Sequence, residues 1–112
     1  MTLHLRAAEA VLDDDPLDAD SVLEGTPTTR WTELWSTPDG DSRGIWEITP
    51  GVVTDVEADE MFVVLSGRAT IEIDGGNTLE VGPGDLVLLD RGARTTWRVH
   101  ETLRKVFHIH AE

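Results

Sequence analysis

A chain of 112 residues has the length of one domain, and folding at that size buries roughly two-thirds of the surface the unfolded chain exposes, so a single core suffices. Nine basic against 22 acidic residues leave a net charge of -13, which repels phosphate backbones and anionic bilayers and argues against nucleic acid or a membrane as partner. Cysteine is absent, which excludes disulfides and thiolate chemistry; with no basic-then-apolar leader after Met1 and no apolar run of membrane-spanning length, a soluble cytoplasmic protein is expected.

In chain order, residues 1–26 stand apart. Asp13-Asp14-Asp15-Pro16 and Asp18-Ala19-Asp20 crowd acids and a proline together, a pattern that suits neither helix nor strand. The segment reads as an irregular acidic N-terminal arm laid over the rest, with Val11, Leu12, Val22 and Leu23 as its apolar anchors. Residues 27–112 read as the folded domain. There, β-rich runs cover Arg30 to Ser36, Arg43 to Thr49, Val52 to Val56, Glu60 to Ser66, Arg68 to Ile73, Thr78 to Val81, Leu86 to Leu89, Thr95 to Val99 and Leu103 to His110. Glycine or proline punctuates them, as in Thr37-Pro38-Asp39-Gly40, Asp74-Gly75-Gly76-Asn77 and Gly82-Pro83-Gly84-Asp85, because glycine reaches positive φ and proline presets it near -65°. Short strands so punctuated predict an antiparallel all-β sandwich or barrel, and no periodic helix competes.

Two blocks carry a family signal: Thr49-Pro50-Gly51 through Glu60 to Gly67, and Gly82-Pro83-Gly84-Asp85-Leu86-Val87 through Arg91-Gly92. They resemble the two motifs of the cupin superfamily, which implies a single-domain jelly-roll β-barrel, RmlC-like in architecture. Cupins place two histidines on one strand, a glutamate shortly after and a glycine seven residues beyond it; Glu60 and Gly67 keep that spacing. The histidine places fall on Thr54 and Val56, or on Val53 and Asp55 if the connecting loop is one residue longer. In the second motif Gly84, Asp90, Gly92 and Thr95 stand where cupins have glycine, proline, glycine and histidine. The resemblance therefore implies the barrel without its usual metal histidines, and no cofactor is expected, the alternative being a divalent metal on a non-standard ligand set. Trp46-Glu47-Ile48-Thr49-Pro50-Gly51, Asp59-Glu60-Met61-Phe62, Gly84-Asp85-Leu86-Val87 and Thr96-Trp97 are similar to the small single-domain cupins that resemble (S)-ureidoglycine aminohydrolase, a two-domain cupin that uses a metal.

With Glu60 facing the lumen, as its counterpart does in cupins, alternation sends Phe62 and Val64 inward and Met61, Val63 and Leu65 outward. By the same logic Thr54, Val56, Thr95 and Trp97 join Glu60 in a pocket of one carboxylate, hydroxyls and aromatic rings, the mix expected of a small-molecule site. Desolvation among such neighbours suits Glu60 to general acid–base catalysis; the competing reading has it bonded to a turn or an arginine, ordering the barrel mouth.

The other chemistry-bearing residues read as structural or solvated. His108 and His110 share a strand face that is expected to meet solvent, and His100 and His4 are expected to be hydrated. Asp55, Glu57 and Asp59 read as a solvated acidic loop rather than a hard-cation site. Lys105, the single lysine, reads as a solvent-facing edge protector, with a base or Schiff-base nucleophile as the alternative. Trp31 and Trp35 fall on one face by spacing and, with Trp46, read as core or interface packing.

Two functions follow. The first is a metal-free cupin binding a small polar metabolite and acting on it by acid–base chemistry at Glu60, as a hydrolase or as a lyase or isomerase. The second is a non-catalytic binding or interaction module that forms a homodimer, as cupins commonly do.

Overall fold

The computed structural model describes residues 2–111. Nine strands account for most of them: β1 (Asp13–Asp14), β2 (Val22–Glu24), β3 (Thr29–Ser36), β4 (Ser42–Ile48), β5 (Gly51–Val56), β6 (Asp59–Ile73), β7 (Thr78–Val81), β8 (Leu86–Leu89) and β9 (Arg94–His110). Two single 3₁₀ turns, Ala7–Glu9 and Ala19–Ser21, are the only helical segments among the described residues. Among the described residues no helix is long and apolar enough to cross a membrane.

Two long strands organise the sheet. Strand β9 pairs along one edge with β4 through its C-terminal half and with β5 through its N-terminal half, while β6 lies along its other edge for nearly its full length. Strand β6 then carries β8 on its first half and β7 on its second. Every pairing is antiparallel, and the sheet curls into a jelly-roll half-barrel.

The sequence splits β6 at Gly67 and β9 around His100, yet each runs through as one strand. Register shifts between Val64 and Ala69 absorb the irregularity, since a bulge bends a strand without ending it. Gly67 sits there at φ 85°, and a Cβ at that place would collide with the Thr102 carbonyl, so glycine is required both for conformation and for close approach.

Alternation along β6 buries Glu60, Phe62 and Val64 and leaves Met61 and Val63 exposed. The inward face packs Ile48, Phe62, Val64, Ile71, Val99 and Leu103 into the core. On the opposite face Met61 pairs with Leu88 and Val63 with Leu86, and all four are exposed.

The arm is more ordered than its composition suggests. Strand β1 pairs with β3 and β2 with β5, so the arm extends two sheet margins. Charged side chains fasten it: Arg104 donates to the carbonyls of Ala7 and Ala10, and Arg30 to that of Leu12. Leu12 is buried, and Leu17 and Val22 pack against the core. Val11 and Leu23, expected as anchors, point to solvent instead. Each is adjacent to the residue that does the anchoring, and in extended chain neighbours face opposite ways.

A second correction concerns the tryptophans. Trp31 pairs with Trp46, which pairs with Lys105, whereas a register shift between Glu33 and Trp35 sets Trp35 opposite Arg43 on the other face. Trp31 stacks on Phe107 at 6.4 Å, while Trp35 packs outside against Arg43 and His108. The extra residue of the bulge breaks the alternation that spacing alone assumes.

Candidate functional site

Across the inner face, Val64, Lys105, Trp46 and Trp31 form one row contributed by β6, β9, β4 and β3. Lys105 is 6% exposed, which overturns its reading as a solvent-facing protector of an edge. Strand β9 is central here, with β4 on one side and β6 on the other, so this lysine has no open edge to protect. Its Nζ lies 4.4 Å from the ring centres of Trp46 and Phe62 and 5.0 Å from that of Trp97. It ends 2.7 Å from Glu60 Oε2, in an ion pair whose two side chains are 8% and 7% exposed. Oε2 has no hydrogen bond of standard geometry, so the contact is close and ionic without being an aligned hydrogen bond. Three aromatic faces and one carboxylate thus enclose the ammonium, the arrangement that best compensates a desolvated cation.

A second buried carboxylate stands nearby. Glu57, 6% exposed, accepts hydrogen bonds at Oε2 from Thr95 Oγ1 at 2.6 Å and Trp97 Nε1 at 3.2 Å. Its backbone is locked to the β8–β9 turn, donating to the Ala93 carbonyl and accepting from the Gly92 N–H. The reading of Asp55, Glu57 and Asp59 as a solvated acidic loop fails for Glu57. The sequence held a clue in Thr95-x-Trp97, which presents two donors on one strand face and requires a buried acceptor.

These groups border a cavity of about 850 Å³ whose wall includes Glu57, Glu60, Thr95, Trp97 and Lys105. The arm contributes Asp15, Leu17, Asp18 and Asp20 to its lining, held by Thr29 Oγ1 donating to the Asp15 carbonyl and Thr54 Oγ1 to that of Ser21. Seven carboxylates line the cavity against two cations, Arg94 and Lys105.

Of the residues assigned to the pocket from sequence, Thr54, Val56, Glu60, Thr95 and Trp97 all line this cavity. Phe62, 1% exposed, lies in the core beneath the Lys105 ammonium. The register corrects the faces of β5: Val53 and Asp55 stand opposite Trp97 and Thr95, so they share the inward face, while Thr54 and Val56 belong to the other, though both still line the cavity. The one-residue-longer loop is the one the chain adopts.

Residues 36–107 match the family described as the EutQ-like cupin domain. The chain belongs to the EutQ-like cupins. Among solved structures the fold is similar to a DUF861-family protein of unknown function from Pseudomonas syringae pv. tomato, with a TM-score of 0.83 and 24% identity over 95% of this chain. This cupin spans 46% of that protein's length. It is also similar to a putative ethanolamine utilization protein Q from Salmonella typhimurium, at TM-score 0.66 and 17% identity, covering 90% of this chain and 94% of that one. The EutQ protein of Clostridium difficile gives TM-score 0.67 and 18% identity, covering 77% of this chain and 64% of its own. No curated protein matches the sequence.

The donor set of this cupin does not fit the metal that its fold family commonly holds. Neither register of β5 supplies an imidazole, Thr95 replaces the last histidine, and the Glu60 carboxylate is occupied by Lys105. No group of three or more histidine or acidic side chains converges elsewhere among the described residues. His108 accepts from Arg43 Nε through Nδ1, and His110 Nδ1 lies 3.2 Å from Asp41 Oδ1, so the two are drawn to different partners. The Asp41 carboxyl is held below its ordinary range, first by the Ala111 N–H and then by His110. His100 bonds to Thr70 Oγ1, and His4 is exposed.

Asp55 carries the perturbed titration of the site. Its carboxyl is pushed up from 3.8 to about 6, first by desolvation and then by repulsion from Glu57. As a residue it remains exposed, and water there tempers the energetic weight of the shift. A raised folded-state value means that the native chain binds this proton more tightly than the unfolded chain. Asp55 therefore weakens the fold as pH rises from about 4 to about 6, and its full cost is present above that window. Asp55→Asn is expected to remove this component from stability measured against pH, and an unchanged profile would refute it.

Proposed function

We propose that this cupin binds a small polar metabolite, neutral or cationic rather than anionic, in the Trp97-lined cavity, and that Glu60 with Lys105 transfers protons to and from it. The observation that carries the reading is the desolvated Glu60–Lys105 pair in a cavity wall. A buried ion pair seldom adds net stability over packed apolar side chains, so one retained beside a cavity points to use. The acidic lining disfavours anionic ligands by Coulomb repulsion, and the Trp46 and Trp97 rings supply apolar contact area. Within the family we place the chain nearest the group resembling ureidoglycine aminohydrolase, on the segments Trp46 to Gly51 and Thr96-Trp97. Metal-assisted hydrolysis is not part of the proposal, because the donor set does not fit it.

Native mass spectrometry of protein purified without additives identifies a retained ligand. With that ligand, Glu60→Gln, which keeps the side chain's shape and removes its proton-transfer group, is expected to keep binding while turnover falls by roughly 10² or more. Full turnover in that variant would remove Glu60 from the chemistry.

A further inference from the structure

We infer that Lys105 is a Schiff-base nucleophile, and that the cavity takes aldehydes or ketones without a negative charge. The inference rests on the cavity being a small-molecule site, and it adds a covalent step and a substrate class.

Attack requires an amine free of its third proton and within reach of the substrate. Lys105 lines the cavity, and its nearest polar neighbour is Glu60 Oε2 at 2.7 Å. Passing the proton from Nζ to Oε2 across that contact leaves an uncharged amine beside an uncharged carboxyl. The Nζ lone pair then forms a C–N bond to the carbonyl carbon, and the carbonyl oxygen takes a proton from nitrogen to give a carbinolamine. The Glu60 carboxyl returns its proton to that hydroxyl, water leaves, and nitrogen closes the C=N bond. The sum is ammonium plus carbonyl giving iminium plus water, with Glu60 ending as it began. No oxidant, reductant or metal enters.

The surroundings also suit the product. An iminium at Nζ keeps the positive charge where the ammonium had it, over Trp46, Phe62 and Trp97 and against Glu60. The seven lining carboxylates work against keto acids, whose own carboxylate would have to enter that field.

Because Lys105 is the single lysine, the only other primary amine on the chain is its α-amino group, which serves as an internal reference. The full chain is incubated with glycolaldehyde and cyanoborohydride, and the alkylated amines are located by peptide mapping. Lys105 is expected to gain one hydroxyethyl group ahead of the α-amino group, and Lys105→Arg to lose that internal label. The Lys105-to-α-amine ratio is expected to fall by about tenfold or more in Glu60→Gln, and in wild type to be lower with pyruvate than with glycolaldehyde. Labelling confined to the α-amino group overturns the inference. Tryptophan fluorescence titrated with glycolaldehyde in Lys105→Arg separates the two levels: a saturable response without labelling of wild-type Lys105 refutes the covalent step and leaves the cavity as a binding site. Neither response nor labelling refutes the proposed binding of small polar molecules as well. The pyruvate comparison needs no variant, so it stands even if Glu60→Gln fails to fold.

Discussion

Lys105→Met is expected to destabilise the fold by about 3–5 kcal/mol, because it leaves Glu60 buried with no cation beside it. The double replacement Lys105→Met, Glu60→Leu should cost far less than the single one, since it removes both desolvated charges and fills the space with apolar atoms. Urea unfolding of the single variants and the double variant measures the coupling directly. A single-variant cost below about 1 kcal/mol, or a double variant whose loss equals the sum of the two singles, would show that the pair is neither desolvated nor coupled. The methionine variant also lacks the nucleophile, so its stability and its reactivity are separate readouts of one position.

Phe62→Ala should cost about 3–5 kcal/mol in the same titration, the range for deleting an aromatic side chain from a closely packed core. Phe62 is packed against Trp97 at 5.6 Å between ring centres and carries the Lys105 ammonium on its face. Its removal therefore opens a void and strips one wall from the cation's enclosure. Val63→Ala, one residue along and exposed, should cost much less, within about 1 kcal/mol. Equal losses at the two positions would contradict the alternation of β6.

The barrel was legible because its signals are local. Glycine and proline mark the turns, and the Glu60-to-Gly67 spacing fixes one strand against the others. The inward faces of β6 and of the first half of β9 follow from period-two alternation once Glu60 is set inside. The site itself was only partly legible. Thr54 and Val56 line the cavity but were given the wrong strand face by one residue of loop, since a one-residue slip exchanges the faces of a whole strand. Trp35 was misplaced by a bulge, which no periodicity announces. Lys105 and Glu57 were missed because ionisable side chains default to solvent, and their burial depends on partners from other strands: Trp46, Phe62 and Glu60 for the lysine, Thr95 and Trp97 for the glutamate. Those meetings are made by the fold, not by spacing along the chain.

The arm's two short pairings reach past the cavity. Strands β3 and β5 each have one flank occupied by the core sheet, and on the other flank they rely on Asp13–Asp14 and Val22–Glu24. A chain begun at residue 27 would lay bare two rows of backbone amides and carbonyls, ready to zip onto a neighbouring molecule. With the arm in place, its aspartates act as a sheath against clumping, repelling any strand that approaches those flanks.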